Sequence, residues 1–361
     1  MPPPDSRTPA YRDWLQRLLR RGPQRPGQLP ARAWWRVVRR TIVEFFDDEL
    51  MDRAAALTYY SILSIFPGLL LLVSGLGLLG RSTTDEVLAN IKALTPGPAR
   101  DIFTRAIENL QDSPRAAGVL AIVGFGIAFW SATGYIGAFM RASNAIYDVP
   151  EARPFWKTIP IQLAATAVTG IFLAVSALAV VFTGRFAQIA GRTLGLEQEA
   201  VRVFDIVKWP ALVVVTGLLI AMLYWAAPNA RQGGFRWITP GSSLAVVIWI
   251  LASVGFAVYI AHFNSYNRTY GTLGGVIIFL VWLWLTNLAV LIGAEFDAEL
   301  GRSRAIVAGL PPDAEPYLPM RDVPKRRRSK RKQPPEERPA EEATAESAPS
   351  EKAAEKSAEP A

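Results

Sequence analysis

The sequence predicts an all-α fold: a polytopic membrane helix bundle with six transmembrane helices, amphipathic interfacial helices and a disordered C-terminal tail. Of the 361 residues, 51% are hydrophobic, and the mean hydropathy is positive at +0.20, which is not the composition of a soluble protein. Six windows contain no Asp, Glu, Lys or Arg, and each exceeds the ~20 residues that an α-helix needs to cross a bilayer. These windows are residues 54–80, 116–140, 158–184, 209–230, 237–267 and 269–294.

The N-terminal part is divided into two segments. Residues 1–30 are rich in Pro and Arg, and we expect them to form a mobile basic segment. Residues 31–53 place Trp and other apolar residues at helical spacing opposite arginines, which predicts an amphipathic interfacial helix among the lipid headgroups. A helix that docks against the bundle would have the same pattern, so both interpretations stay open.

The six-helix transmembrane domain is predicted over residues 54–300. Its spans are expected at residues 57–80, 117–140, 159–183, 208–228, 241–262 and 271–294. The connection at residues 82–115 is too long for a simple turn, and apolar residues at helical spacing within it predict an outer helical loop.

The C-terminal residues 311–361 are predicted to be a disordered, charged tail, because they contain many Pro, Glu, Lys and Ala but few large apolar side chains. A basic run within this tail has three interpretations: contact with anionic lipid headgroups, contact with nucleic acid, and a solvated charge run that assists topology. Nucleic acid is the least favoured. The candidate lipid-contact residues are Lys325, Arg326, Arg327, Arg328, Lys330, Arg331 and Lys332.

The distribution of positive charge predicts the orientation in the membrane. Six spans place both termini on one side, and that side carries 29 of the 39 Lys and Arg residues. Cytoplasmic loops carry an excess of these residues. We therefore expect a multi-pass protein of the bacterial inner membrane with both termini in the cytoplasm.

The residue counts exclude several kinds of chemistry. The chain has no cysteine and one histidine, His262, so it contains no disulfide framework, Cys-ligated zinc or multi-histidine metal site. No phosphate-binding GxxxxGK[ST] loop occurs in the sequence. We predict no cofactor, no metal site and no catalytic residues, and hence a protein that is not an enzyme.

Uncharged polar residues are concentrated in the first span, ahead of a proline that should kink the helix. Interrupted helices of this kind line cavities in transporters, although prolines also occur in spans for structural reasons. Two further polar clusters follow the second span and separate the fifth from the sixth. The candidate cavity or gate residues are Tyr59, Tyr60, Ser61, Ser64, Pro67, Arg141, Asn144, Tyr147, Asn264, Tyr266 and Tyr270.

Charged residues are almost absent from the predicted spans and none of them is acidic, so the sequence does not predict a carboxylate relay for proton coupling. Glu295 and Asp297 follow the sixth span, with Arg302 nearby. We expect these residues to form surface ion pairs rather than to drive transport.

Five segments, in order along the chain, match the pattern of a known family. They are AAALTYYSILSIFPGLLLL (54–72), RASNAIYDVPEARPFW (141–156), Pro228-Asn229, YNRTYGTLGGVIIFLVWLWL (266–285) and LIGAEFDAEL (291–300). The combination resembles the YihY/BrkB family, and the resemblance implies an inner-membrane protein with six helices and cytoplasmic ends. That family has also been labelled ribonuclease BN. One histidine and no carboxylate cluster for metal-assisted hydrolysis make a ribonuclease activity inconsistent with this chain.

The sequence favours a transporter or lipid-handling membrane protein whose substrate it does not specify. Membrane lipids are the expected partners, with anionic headgroups at the basic segments. The alternative is a non-transporting envelope scaffold with envelope proteins as partners, or a virulence factor associated with serum resistance. The sequence does not predict an oligomeric state.

Overall fold

A computed structural model describes residues 8–78, 114–181, 198–262 and 272–324, all within one compact unit, Met1–Pro324. These ranges form eight α-helices and no β-strand, which confirms the all-α fold. The helices are α1 (Pro9–Arg21), α2 (Ala31–Asp47), α3 (Leu50–Leu78), α4 (Pro114–Ile146), α5 (Phe155–Val181), α6 (Gln198–Ala226), α7 (Phe235–His262) and α8 (Thr272–Val307).

Five of these helices are long and apolar enough to cross a membrane, and they coincide with the second to sixth predicted spans. The qualifying stretches are Ile122–Ile146, Phe155–Ser176, Ile206–Ala226, Arg236–Ile260 and Gly274–Val307. For the first predicted span, α3 is helical through Pro67 as far as Leu78. The structure thus confirms a polytopic helical membrane protein. The predicted outer loop at residues 82–115 lies almost entirely outside the described residues.

Several helices continue past their predicted spans at one end of the bundle, which we call the basal end. It consists of the α2–α3 junction (residues 48–49), the α4–α5 loop (147–154), the α6–α7 loop (227–234) and residues 308–324. α8 is the central element, because it contacts α1, α2, α3, α4 and α7. Its C-terminal half projects into the basal end, where charged side chains of other segments meet it.

α7 and α8 approach closely at two glycines. A Cβ built on Gly293 of α8 would lie 2.5 Å from the carbonyl oxygen of Gly241 on α7 and 2.6 Å from the hydroxyl of Tyr224 on α6. Small residues allow helix backbones in membranes to approach one another in this way. The glycine pair therefore sets the distance between the two helices.

The terminal segments are more ordered than the sequence predicts. Residues 9–21 form α1, whose Tyr11, Leu15 and Leu19 are buried, and residues Tyr317 and Leu318 are buried after α8. The prediction of a mobile segment is wrong for α1, and that of a disordered tail is wrong up to residue 324. Three apolar residues at helical spacing are enough to dock a helix, although the segment's composition is polar and Pro-rich. Residues 1–7 and 325–361, with the basic run, lie outside the described residues.

α2 buries one face and exposes another. Ala33 and Val37 are fully buried in a cluster with Leu300 of α8, whereas Trp35 and Phe46 are 70% and 64% exposed. The docking interpretation is confirmed for the first face. The membrane-facing interpretation stays a prediction for the second.

Candidate functional site

The hydroxyl groups of α3 hydrogen-bond to their own helix. Ser61 Oγ donates to the carbonyl of Leu57 (2.9 Å), and Ser64 Oγ donates to the carbonyl of Tyr60 (2.8 Å). Such bonds are the usual way to satisfy Ser in a membrane helix. Neither serine lines either of the two cavities described below.

The aromatic candidates of α3 differ in their surroundings. Tyr59 is 61% exposed, whereas the ring of Tyr60 packs beside Gly134 of α4. Three other candidates, Asn264, Tyr266 and Tyr270, lie outside the described residues, as does the side chain of Pro67. The proposed gate role of all these residues stays a prediction.

A polar triad joins α3, α4 and α8 inside the bundle. Asn287 Nδ2 donates to Thr58 Oγ1 (3.1 Å), and Tyr135 Oη donates to Asn287 Oδ1 (3.0 Å). Thr58 Oγ1 in turn donates to the carbonyl of Ala54 (2.8 Å). These bonds satisfy the amide of Asn287, whose burial would otherwise be costly, so the triad clamps the three helices together. Sequence analysis missed Asn287, although a lone Asn in an apolar span was a usable signal.

Asn229 is the centre of a hydrogen-bonded network at the basal end, and it is fully buried. Its backbone N–H donates to Asn144 Oδ1 (2.7 Å), and its Nδ2 donates to the carbonyls of Pro150 (3.0 Å) and Asp322 (2.8 Å). Its Oδ1 accepts from the backbone N–H of Asp322 (3.0 Å). The side chain of Asn229, in the α6–α7 loop, thus binds the α4–α5 loop and the C-terminal segment, while its backbone N–H binds α4.

A second part of this network is an ion pair within the α4–α5 loop. Arg153 is buried and holds Glu151 through Nε (2.8 Å) and Nη2 (2.6 Å), while Asn144 Nδ2 donates to the same carboxylate (2.9 Å). Arg153 Nη2 also donates to the carbonyl of Ala227 (2.7 Å). Burial would raise the pKa of Glu151, but the hydrogen bonds from Arg153 and Asn144 outweigh it and leave the pKa lowered. Glu151 is therefore ionised and fixes the loop.

The C-terminal segment after α8 is tied to the α6–α7 loop. Ala230 and Met320 form an isolated antiparallel bridge, and Arg321 Nε donates to the carbonyl of Ala230 (3.0 Å). The guanidinium of Arg321 lies 5.0 Å from the ring of Trp225. We call residues 317–322 the strap, because they close the basal end over these loops.

The other candidates near α4 differ in burial. Arg141 is exposed, whereas Tyr147 is buried beside the strap network. Burial raises the pKa of Tyr147, and the Asp297 carboxylate raises it further. The structure therefore brings Asn144 into the basal network and buries Tyr147 at the same end of the bundle, whereas Arg141 is exposed.

The carboxylates of α8 are buried, which corrects the predicted surface ion pairs. Glu295, Asp297 and Glu299 are 1%, 3% and 1% exposed. Asp297 Oδ1 accepts from the backbone N–H of Gly241 (2.7 Å), and the carboxyl group of Glu295 lies beside that of Asp48. Sequence analysis could not detect this burial, because the covering residues come from α2, α7 and the loops of the basal end.

Arg302 is the cation at the centre of this acidic group. Its Nη2 lies 2.6 Å from Asp148 Oδ2, its Nε lies 3.1 Å from Glu299 Oε1, and its guanidinium lies 4.5 Å from the ring of Tyr317. Glu299 also pairs with Arg40 of α2 at 2.9 Å. The buried Arg302 guanidinium therefore connects α8 with the α4–α5 loop and the strap, and Glu299 extends this connection to α2.

Asp148 gives this group a pH dependence. Burial, and after it the neighbouring Glu315 carboxylate, raise the pKa of Asp148 to about 6 against the opposing effect of Arg302. Because the folded state binds this proton more tightly than the unfolded chain, the resulting stability is complete below about pH 4 and is lost as pH rises through about 6. We expect the apparent melting temperature of the purified protein to fall between about pH 5 and about pH 7.

The matched variant is Asp148→Asn. Because it removes the titrating group, its apparent melting temperature should depend less on pH between about pH 5 and about pH 7. Asn also tolerates the positive φ of 50° at this position. An equally steep fall in the variant would show that Asp148 is not the responsible group.

Two cavities are relevant to binding. A basal cavity of about 10 Å³, close to the space of one water molecule, borders Asp297, Gln232 and Arg304. A larger cleft of about 310 Å³ lies between α7 and α8. Its lining residues are Ser253, Phe256, Ala257, Ile260, Gly275, Ile278, Phe279 and Trp282.

No group of three or more acidic or histidine side chains is placed to hold a metal ion in the ranges that the structure describes. A family model described as "Virulence factor BrkB" matches residues 41–316. The chain belongs to the BrkB family. This confirms the resemblance seen in the sequence. For this BrkB-family protein, the match covers α3 to α8 but ends before the strap and omits α1 and the first half of α2.

Several curated proteins are similar to this BrkB-family chain. The ribonuclease-like protein YfkH of Bacillus subtilis is 30% identical over 279 residues, which cover 74% of this chain and 94% of YfkH. A UPF0761 membrane protein of Chromohalobacter salexigens is 27% identical over 286 residues, covering 77% of this chain and 67% of that protein. A UPF0761 membrane protein of Xanthomonas oryzae is 26% identical over 269 residues, covering 72% and 59%. No solved structure matches the chain.

Proposed function

We propose that this BrkB-family membrane protein is a lipid-handling protein that takes a phospholipid acyl chain into the cleft between α7 and α8. The observation that carries the proposal is the cleft itself, about 310 Å³ in volume, between two helices that are apolar enough to span a membrane. An opening of this kind faces hydrocarbon rather than water.

The chemistry of the lining fits an acyl chain. Seven of the eight lining residues are apolar or glycine, and the eighth, Ser253, accepts a hydrogen bond from Trp282 Nε1 (3.2 Å). Binding sites for small molecules combine apolar walls with a few oriented polar groups, whereas this wall offers mainly hydrocarbon. A polar solute would lose its hydration there without compensating hydrogen bonds.

The polar interior near α3 does not favour a path for a water-soluble solute. The amide of Asn287 is used in bonds to Thr58 and Tyr135, and Ser61 and Ser64 bond to their own helix. The polar side chains named here therefore already have hydrogen-bond partners, either in one another or in the backbone of α3. The sequence favours either a transporter or a lipid-handling protein, and these contacts support lipid handling better than transport of a water-soluble solute.

Filling the cleft tests the proposal. Gly275 lines the cleft and has no atom within 4 Å of a Cβ built on it, so Gly275→Leu should occupy the cleft without displacing a neighbour. We expect Gly275→Leu to slow the movement of fluorescent phospholipid between leaflets of proteoliposomes by about tenfold, a difference of about 1.4 kcal/mol.

The matched control is Gly255→Leu. Gly255 lies on α7, also has open space around a built Cβ, and does not line the cleft. We expect this variant to move lipid at the unmodified rate. Equal losses in both variants would contradict the role of the cleft. If the unmodified protein moves no lipid but retains envelope proteins in a pull-down, the scaffold function replaces the proposal.

A further inference from the structure

α2 crosses α8 at a steep angle. Trp34 packs against Phe296 with ring centroids 6.2 Å apart, and Arg40 Nε lies 2.9 Å from Glu299 Oε2. At the end of α2, the carboxyl group of Asp48 lies beside that of Glu295. At 1.5 Å per residue, these contacts span about 21 Å along α2 but only about 6 Å along α8. α2 therefore runs across α8 rather than beside it.

The level of this crossing follows from the sequence of α8. Its charge-free run ends at Ala294, and the three contacts named above fall at residues 295–299, next to Leu300 in the cluster with Ala33 and Val37. They thus lie about 2–8 Å beyond the end of the apolar run, within the thickness of one headgroup layer. Since α8 spans the membrane, α2 lies nearly parallel to the membrane plane at headgroup depth.

The surface of α2 is divided into three arcs. The docked arc contains the buried residues Ala33, Val37 and Thr41. On the side away from α8, the apolar arc consists of Trp35, Val38, Ile42 and Phe46, all of them exposed.

The third arc is cationic and contains the exposed residues Arg32, Arg36 and Arg39. Val43 also falls within this arc when the helix is viewed along its axis. At about 100° per residue, the centres of the apolar and cationic arcs are separated by about 80°. An in-plane helix with adjacent apolar and cationic surfaces is suited to a membrane interface. None of the three arginines forms an ion pair with a residue in the described part of the chain.

We infer that α2 is a surface-bound helix whose Arg32, Arg36 and Arg39 bind the phosphates of anionic phospholipids while its apolar arc enters the acyl region. Charge complementarity identifies the ligand, because three exposed guanidinium groups on one arc, with no ion-pair partner among the described residues, attract anionic headgroups. Trp35 on the neighbouring arc suits the boundary between headgroups and acyl chains. The inference does not depend on the α7–α8 cleft.

Competition between lipids in nanodiscs tests the headgroup site. The full-length protein is placed in nanodiscs of mixed phosphatidylglycerol and phosphatidylcholine, and the lipids that it retains on release are counted by native mass spectrometry. We expect the unmodified protein to prefer phosphatidylglycerol. The triple variant Arg32→Gln, Arg36→Gln, Arg39→Gln should lower this preference by at least about tenfold, because the surface cations act together.

The matched control changes three exposed arginines of α1: Arg17→Gln, Arg20→Gln and Arg21→Gln. This variant has the same net charge as the first, but none of the large exposed apolar residues lies on α1. We expect it to keep the preference. An unchanged preference in the α2 variant, or an equal loss in both variants, would overturn the inference.

A depth measurement tests the apolar arc independently of charge. Because the chain has no cysteine, Ile42→Cys and Arg36→Cys each give one site for a nitroxide label. In phosphatidylglycerol vesicles, the label at residue 42 should be accessible to oxygen and that at residue 36 to a water-soluble nickel complex. Equal access of the nickel complex to both labels would overturn the inference. Protection of residue 42 from both reagents would do the same and would indicate a protein partner on this arc.

Discussion

Gly293→Ala should separate α7 from α8 and lower the free energy of unfolding by about 3 kcal/mol. The added methyl group would lie 2.5 Å from the carbonyl oxygen of Gly241, 2.6 Å from the Tyr224 hydroxyl and 2.7 Å from the Cβ of Ala245. Two of these atoms belong to the backbone or Cβ of α7, so rotation of a flexible side chain cannot relieve the overlap. Size-exclusion chromatography of heated, detergent-purified protein measures the loss as a lower apparent melting temperature.

The same displacement should disturb the buried carboxylate of Asp297. The backbone N–H of Gly241 donates to Asp297 Oδ1 at 2.7 Å, and this bond crosses the interface that Gly293 holds closed. A buried carboxylate that loses a donor is costly. The effect of Gly293→Ala should therefore exceed that of steric overlap alone.

Two glycines on the same helices provide controls. Gly255 of α7 and Gly275 of α8 have no atom within 4 Å of a built Cβ. Gly255→Ala and Gly275→Ala should leave stability unchanged or raise it by about 0.5–1 kcal/mol, because alanine is the better helix former. If Gly293→Ala is as stable as these controls, the close approach of α7 and α8 is wrong.

Asn229→Ala should destabilise the basal end by about 3–5 kcal/mol. The substitution removes the bonds from Nδ2 to the carbonyls of Pro150 and Asp322 and the bond from the Asp322 N–H to Oδ1. These backbone groups would then be left without partners in a buried site. The strap should detach first, and limited proteolysis should reveal this as faster cleavage near residues 317–322.

The nearby residue Arg231 provides the comparison for this prediction. Its side chain is exposed, and the bond described for this residue is made by its backbone N–H to the carbonyl of Pro319 (2.7 Å). Arg231→Ala should change stability by less than about 0.5 kcal/mol and leave the proteolysis pattern unchanged. Equal cleavage rates in Asn229→Ala and the unmodified protein would mean that Asn229 does not hold the strap.

Amphipathic patterns in the sequence predicted only some of the helices and contacts at the basal end. The pattern of residues 31–53 predicted a helix with one apolar face, and it was consistent with both docking and membrane contact. The structure separates the two, because Ala33 and Val37 pack on α8 whereas Trp35 is exposed. For residues 1–30, composition predicted mobility, yet Leu15 and Leu19 of α1 are buried. Average composition does not register two or three apolar residues that fall on one helical face.

The candidate site was predictable where its residues are adjacent in sequence. Asn144 and Tyr147 were identified from one polar cluster; Asn144 belongs to the basal network, and Tyr147 is buried at the same end of the bundle. Asn229 was identified only as part of a family motif. Its hydrogen-bond partners lie 79–93 residues away in the chain, so its neighbours in the sequence do not indicate its role. Asn287 was missed for the same reason, since its partner Thr58 is 229 residues distant.

The sequence by itself determined that this is a polytopic helical membrane protein and where five of its spans lie. Transfer of a helix into hydrocarbon depends on the sum of local side-chain hydrophobicities, and a single sequence contains all of that information. Only the tertiary structure decided that Glu295, Asp297 and Glu299 are buried and that Arg302 connects Glu299 to the strap. The burial of a charge depends on which distant residues cover and pair with it, and the hydropathy of neighbouring residues in the chain does not predict those contacts.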